Sequence, residues 1–152
     1  MNIVELNEKN LGEALRIFKK TKTEYYEAIG EEMPSDSAIG EGFRGVSGEG
    51  ITYLFTEKGV CNALVTIDKP IAEIRNFSID FSALGEADLT KILEFTVKQF
   101  SAITLVFIWI TSLDNAVMDL IEGFGFEYTG EQDYIDKDKF LSAYKYVYRR
   151  KK

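Results

Sequence analysis

Residues 51–79, ITYLFTEKGVCNALVTIDKPIAEIRNFSI, are the stretch on which the fold turns. Ile51 to Thr56, Val60 to Asp68 and Ile71 to Ile79 are rich in β-branched and aromatic residues. They are separated only by Glu57-Lys58-Gly59 and by Lys69-Pro70. Two short turn signals between three such runs predict an antiparallel meander. Downstream the period changes: Leu89, Ile92, Leu93, Thr96 and Phe100 share one helical face between Glu86 and Phe100. Ile103 to Ile110 is apolar without alternation, which predicts a strand near the middle of the sheet and covered on both faces. Asp114 or Asn115 then caps a short helix with Val117, Leu120 and Ile121 on its apolar face, closed by Gly123 and Gly125. Phe126 to Thr129 and Phe140 to Tyr148 read as strands, the second with Tyr144, Tyr146 and Tyr148 on one face.

Upstream, Asn2 to Leu6 is a short strand-like alternation. A helix follows, with Asn10 as cap, Glu13 as its reciprocal partner, and Leu11, Ala14, Leu15 and Phe18 as the apolar stripe. Lys19, Lys20 and Lys22 read as a solvated face of that helix, and the tail Arg149 to Lys152 as a frayed end. Glu31 to Gly50, with Pro34 and five glycines, reads as a loop or broken helix. Its literal GxGxxG, Gly40 to Gly45, lacks the preceding strand and the following helix that a dinucleotide fingerprint needs, and is set aside. The order is β-α-(loop)-β-β-β-α-β-α-β-β over residues 1–152 as a single domain. The fold class is α+β, an α/β/α sandwich around a mixed, mainly antiparallel sheet.

Composition closes much of the chemical catalogue. The 152 residues contain no histidine and one cysteine. That removes imidazole-dependent nucleophiles and acid–base pairs, histidine metal sites, intramolecular disulfides and CxxC motifs, so no metal site is expected. Cys61 lies in an apolar strand without a histidine to activate it, and reads as a small buried hydrophobe. A formal charge of −7 disfavours nonspecific nucleic-acid binding. The longest apolar run is too short to span a bilayer, and the reading is of a cytoplasmic protein without a membrane partner.

The element order at this length resembles the GNAT (Gcn5-related N-acetyltransferase) superfamily. Ile71 to Ile79 looks like the family's fourth strand, and Asp114-Asn115 with Gly125-Phe126 looks like its Asn…Gly-Phe signature. The resemblance implies acetyl-CoA as co-substrate, a primary amine (small molecule or peptide) as acceptor attacking directly, and Asn115 at the cofactor side. A homodimer is compatible with it. It also implies that the fourth and fifth strands splay apart, so that main-chain groups of Phe77, Ser78 and Ile79 hold the pantetheine arm and polarise the thioester, an oxyanion-type device. Glu73 is the candidate base, on a strand similar to one whose glutamate takes the amine proton through water in the histone-acetyltransferase branch. Pairing with Arg75, two residues away on the same face, is the competing role.

Two positions depart from the family pattern. Its pyrophosphate loop, Arg/Gln-x-x-Gly-x-Gly/Ala, becomes Ser82-x-x-Gly85-x-Ala87 in one register and Leu84-x-x-Ala87-x-Leu89 in the other. In the first, Gly85, Glu86 and Ala87 would meet the diphosphate at a helix start. Glu86 and Asp88 place carboxylates there, each repelling it by on the order of 1 kcal/mol, although both also suit the first turn of a helix. The tyrosine that many members use as general acid is replaced by Ile121, with Tyr128, Tyr134 and Tyr144 as substitutes. Acidic Glu24, Glu27, Glu31, Glu32 and Asp36 would steer a cationic amine. The alternative is a GNAT-fold binding or regulatory module without efficient CoA binding or catalysis. An unrelated α+β ligand-binding protein sharing only the element order is the remaining reading.

Overall fold

The computed structural model describes residues 1–136, 138 and 141–150. In chain order the elements are β1 (Asn2–Glu5), α1 (Leu11–Ile29), α2 (Asp36–Gly42), β2 (Ile51–Glu57), β3 (Val60–Asp68), β4 (Glu73–Ile79), α3 (Glu86–Lys98), β5 (Leu105–Thr111), α4 (Asn115–Phe124), β6 (Glu127–Asp136) and β7 (Leu141–Arg149). One sheet runs β1-β2-β3-β4-β5-β7-β6. Every pairing is antiparallel except β4 with β5. The α+β fold and the meander therefore stand as read. Phe140, the expected start of the last strand, lies outside the described residues.

The sheet separates two apolar layers. On one face Phe55, Val65, Ile74, Phe77, Ile79, Val106, Ile108 and Ile110 pack with Ile92, Leu93 and Val97 of α3 and Val117 and Ile121 of α4. On the other, Leu54, Cys61 and Leu64 pack with Ala14, Ile17 and Phe18 of α1, Ile39 of α2, and Phe43. Cys61 has no exposed surface, donates its S–H to the Ala63 carbonyl at 3.1 Å, and has its pKa pushed up to about 11, chiefly by burial. Alkylation by iodoacetamide near pH ~8 is expected to leave the native protein unlabelled and to proceed once it is unfolded. Labelling of the native protein at the unfolded rate would disprove the burial.

Several local expectations are corrected. Asn10 is the α1 cap by position, but its side chain accepts from Asn7 N and donates to the Glu5 carbonyl. Glu13 turns away, pairing with Arg16 and accepting from Cys61 N, so the reciprocal box does not form. Ile17 takes the buried place assigned to Leu11, which is exposed. Within 31–50 a short helix, α2, forms because Ser35 accepts from Ala38 N, and its Ile39 reaches the core. Burial alternates along β5: Val106, Ile108 and Ile110 are covered, whereas Leu105, Phe107, Trp109 and Thr111 are only partly so. Cover on that second face is thin because α1 and α2 pack over the β2–β4 half, and the Lys145 ammonium lies 4.4 Å from the Phe107 ring centroid. Arg150 does not fray. Its guanidinium donates to Val97 and Ile103 carbonyls, while Lys151 and Lys152 lie outside the described residues.

Candidate active site

β4 pairs with β3 on one side along its length, but with β5 only at Glu73 opposite Phe107 and Ile74 opposite Ile108. Beyond Ile74 the two parallel strands part. The parting coincides with an irregularity: Thr66 faces Arg75 while Leu64 faces Ser78, so two steps on β3 match three on β4. The extra residue is Asn76, whose φ of 52° is left-handed, a β-bulge. Asparagine tolerates that conformation, and its side chain is held in place. Nδ2 donates to the Gly42 carbonyl at 2.8 Å and to Thr66 Oγ1 at 3.0 Å. Thr66 Oγ1 lies 2.6 Å from Thr52 Oγ1, which donates to the Phe43 carbonyl at 2.6 Å. The end of α2 thus pins the bulge.

Backbone direction alternates along a strand, so the free groups can be assigned. Asp80 N donates to the Asn62 carbonyl, which turns Asp80 and Ser78 toward β3. Phe77 and Ile79 consequently face the opening on the β5 side, and Ser78, wholly buried, supports it from behind. The opening continues as a cavity of about 300 Å³ walled by Phe77, Ile79, Asp80, Leu113 and Val117.

Beyond Ile79, α3 starts at Glu86 with Gly85 as N-cap, and no side-chain hydrogen bond caps it. Its first amides therefore have no intrahelical partner. This start matches the register Ser82-x-x-Gly85-x-Ala87, and Gly85, Glu86 and Ala87 are all exposed. Asp80 organises the approach: Lys20 Nζ donates to it at 2.7 Å, and Ser82 donates through Oγ at 2.6 Å and N at 3.1 Å. The Lys20 hydrogen bond, then that of Ser82, holds the Asp80 carboxyl below its ordinary range. Asn115 is exposed at the first position of α4.

Glu73 lines the opening together with Arg75, and its Oε1 accepts from Arg75 Nη1. The ion pair foreseen as its competing role is therefore formed. Ile121 packs in the core, and neither Tyr128, Tyr134 nor Tyr144 lines the opening. Tyr25 and Tyr26 line a neighbouring cavity of about 210 Å³, with Glu24, Asn76 and Thr111. Asp36 ion-pairs with Lys19 at 2.5 Å, and Glu27, Glu31 and Glu32 are exposed at the end of α1.

Lys22 is the principal correction. It is not on a solvated face: it enters the opening and its Nζ donates to the Phe77 carbonyl at 3.0 Å. The available signal was its place four residues after Phe18, on the buried stripe of α1. Asp114, foreseen as a cap and as part of the Asn…Gly-Phe signature, makes no side-chain capping hydrogen bond and lines the opening together with Lys22.

No protein-family model and no curated protein matches the sequence. The structure is similar to that of the Escherichia coli ribosomal-protein-S18-alanine N-acetyltransferase, with TM-score 0.74 and 15% identity over 97% of this chain and 92% of that one. It is equally similar to the Brucella melitensis ribosomal-protein-alanine N-acetyltransferase, with TM-score 0.74 and 16% identity over 99% and 100%. A GNAT superfamily phosphinothricin acetyltransferase from Sinorhizobium meliloti, solved in complex with AcCoA, aligns with TM-score 0.68 and 15% identity over 97% and 87%. The chain has the GNAT fold.

Proposed function

We propose that this GNAT-fold chain, residues 1–152 acting as one unit, is an N-acetyltransferase that moves an acetyl group from acetyl-CoA to a primary amine of a small molecule or peptide. One observation carries the reading: β5 leaves β4 beyond Ile74, and the backbone of Phe77 and Ile79 faces the space between them. Strand groups that β5 leaves without a strand partner, the Phe77 carbonyl being held by Lys22 Nζ, suit an amide-bearing arm, and an uncapped helix start suits a phosphate. Acetyl-CoA, when bound, supplies an activated acyl group as a thioester.

Each part of the chain has a stated task. Phe77 and Ile79 orient the arm and polarise the acyl carbonyl through the main chain. Gly85, Glu86 and Ala87 present amides to the diphosphate, and Asn115, exposed at the start of α4, serves the cofactor side. Glu73 takes the proton from the acceptor amine, through Oε2, because Arg75 holds Oε1. Phe107 and Trp109, partly uncovered on the α1 side, give the acceptor an apolar wall. The single buried thiol and the charge of −7 support a cytoplasmic setting without nucleic acid.

Titration with acetyl-CoA by calorimetry, followed by thiol release over a panel of amines, tests this. Binding in the micromolar range with amine-dependent thiol release is expected. Glu73→Gln should lower turnover by roughly 10²-fold or more, with acetyl-CoA affinity kept. Unchanged turnover would refute the base. The second reading, a GNAT-fold binding or regulatory module, is favoured by two observations: Ile121 lies buried where an acid would stand, and the exposed Glu86 opens α3. Absent acetyl-CoA binding would select it.

A further inference from the structure

Three cavities meet between α1, β4 and the start of α4, and the two side chains that line all three are Lys22 and Asp114. The neighbouring lysines of the same helix reach outward to carboxylates, Lys19 to Asp36 and Lys20 to Asp80. Lys22 alone of these points its amine inward, along the edge of β4 that β5 has left unpaired. Burial pushes its pKa below the ordinary lysine value, and the Asp114 charge opposes that shift. A desolvated lysine with a larger neutral fraction is a nucleophile.

We propose that Lys22 is itself an acyl acceptor, taking an acyl group from a thioester held in this cleft. The inference rests on the acetyltransferase reading of the same cleft. The Nζ lone pair forms a bond to the acyl carbon, and the carbon–sulfur bond breaks with its electron pair on sulfur. The proton lost from nitrogen goes to the thiolate. The products are N-acyl-Lys22 and a free thiol, with no change of oxidation state. The amide so formed keeps one N–H for the Phe77 carbonyl, loses its charge, and places the acyl group at the junction of the three cavities. Acylation therefore closes the cleft to further turnover.

The full chain incubated with acetyl-CoA should gain the mass of one acetyl group, mapped to Lys22, at a rate roughly 100-fold above that of exposed Lys58. Lys22→Arg should gain none there. Without any thioester, the Nζ signal of the 13C-methylated protein should titrate below the ordinary lysine value. Calorimetric binding of acetyl-CoA with Lys22 unmodified, or modified no faster than Lys58, overturns this inference and leaves the acetyltransferase reading intact. A Lys22 titrating at or above the ordinary value also overturns it. Absence of binding heat overturns both.

Discussion

Gly45→Ala is expected to lower the unfolding free energy by about 3 kcal/mol. For a chain of 152 residues that is a fall in melting temperature of roughly 10 °C. Gly45 has a φ of +71°, where an L side chain is strained, and an added Cβ would lie 2.4 Å from Asp68 Oδ2. Neither party can yield easily. The carboxylate is wholly buried at the end of β3, and the loop is tied back by Gly50 N donating to the Arg44 carbonyl at 2.7 Å. Urea unfolding should show a lower midpoint with an unchanged slope. A loss below about 0.5 kcal/mol, the usual scale of surface substitutions, would mean that the contact is not as described. The glycine that completed a false dinucleotide motif thus has a structural reason for being glycine.

Asp68→Ala should cost a comparable amount, about 3 kcal/mol. Its carboxylate accepts from Val46 N at 2.7 Å, Ser47 N at 3.2 Å and Ser47 Oγ at 2.5 Å, and truncation strands these donors beneath the loop. The two substitutions share one contact, so they cannot be independent. In Asp68→Ala the carboxylate that a methyl group on Gly45 would strike is gone, leaving only the Cβ of residue 68 at 3.2 Å, and the double variant should recover about 1–2 kcal/mol relative to the sum of the singles. Full additivity in a double-mutant cycle would remove the steric argument. The effect should also reach the cleft. The 43–50 loop follows directly on Gly42 and Phe43, whose carbonyls anchor Asn76 and Thr52.

What could be read in the sequence was what depends on neighbours along the chain. The turns at Lys58-Gly59 and Lys69-Pro70, the 3.6-residue period of α3 and the alternation of Tyr144, Tyr146 and Tyr148 are local signals, and each produced its element. The Glu73–Arg75 pair was legible because strand residues two apart share a face. Lys22 was not, because its partner is a carbonyl 55 positions away that becomes available only where a third segment, β5, diverges. The apolarity of β5 misled for a related reason. A run of large side chains records what a face could bury, not whether anything in the chain covers it. Phe107 and Trp109 remain partly open because the helices lie over the other half of the sheet. Asp114 was assigned to its own helix end, the nearest demand, whereas its surroundings in the fold are across the opening.

The extra residue in β4 is a silent insertion: the strand keeps its facing on either side of it. Before it, Ile74 marks the face toward α3 and α4; after it, Phe77 and Ile79 do, an odd step from Ile74. Glu73, Arg75 and Ser78 keep to the opposite side. Without Asn76, Phe77 would follow Arg75 directly and the alternation would run uninterrupted with the same facing, so the bulge takes up the extra residue without turning Phe77 away from the gap. What the single extra residue supplies is a bend at the place where β5 leaves β4, tethered to the end of α2 through the Gly42 carbonyl.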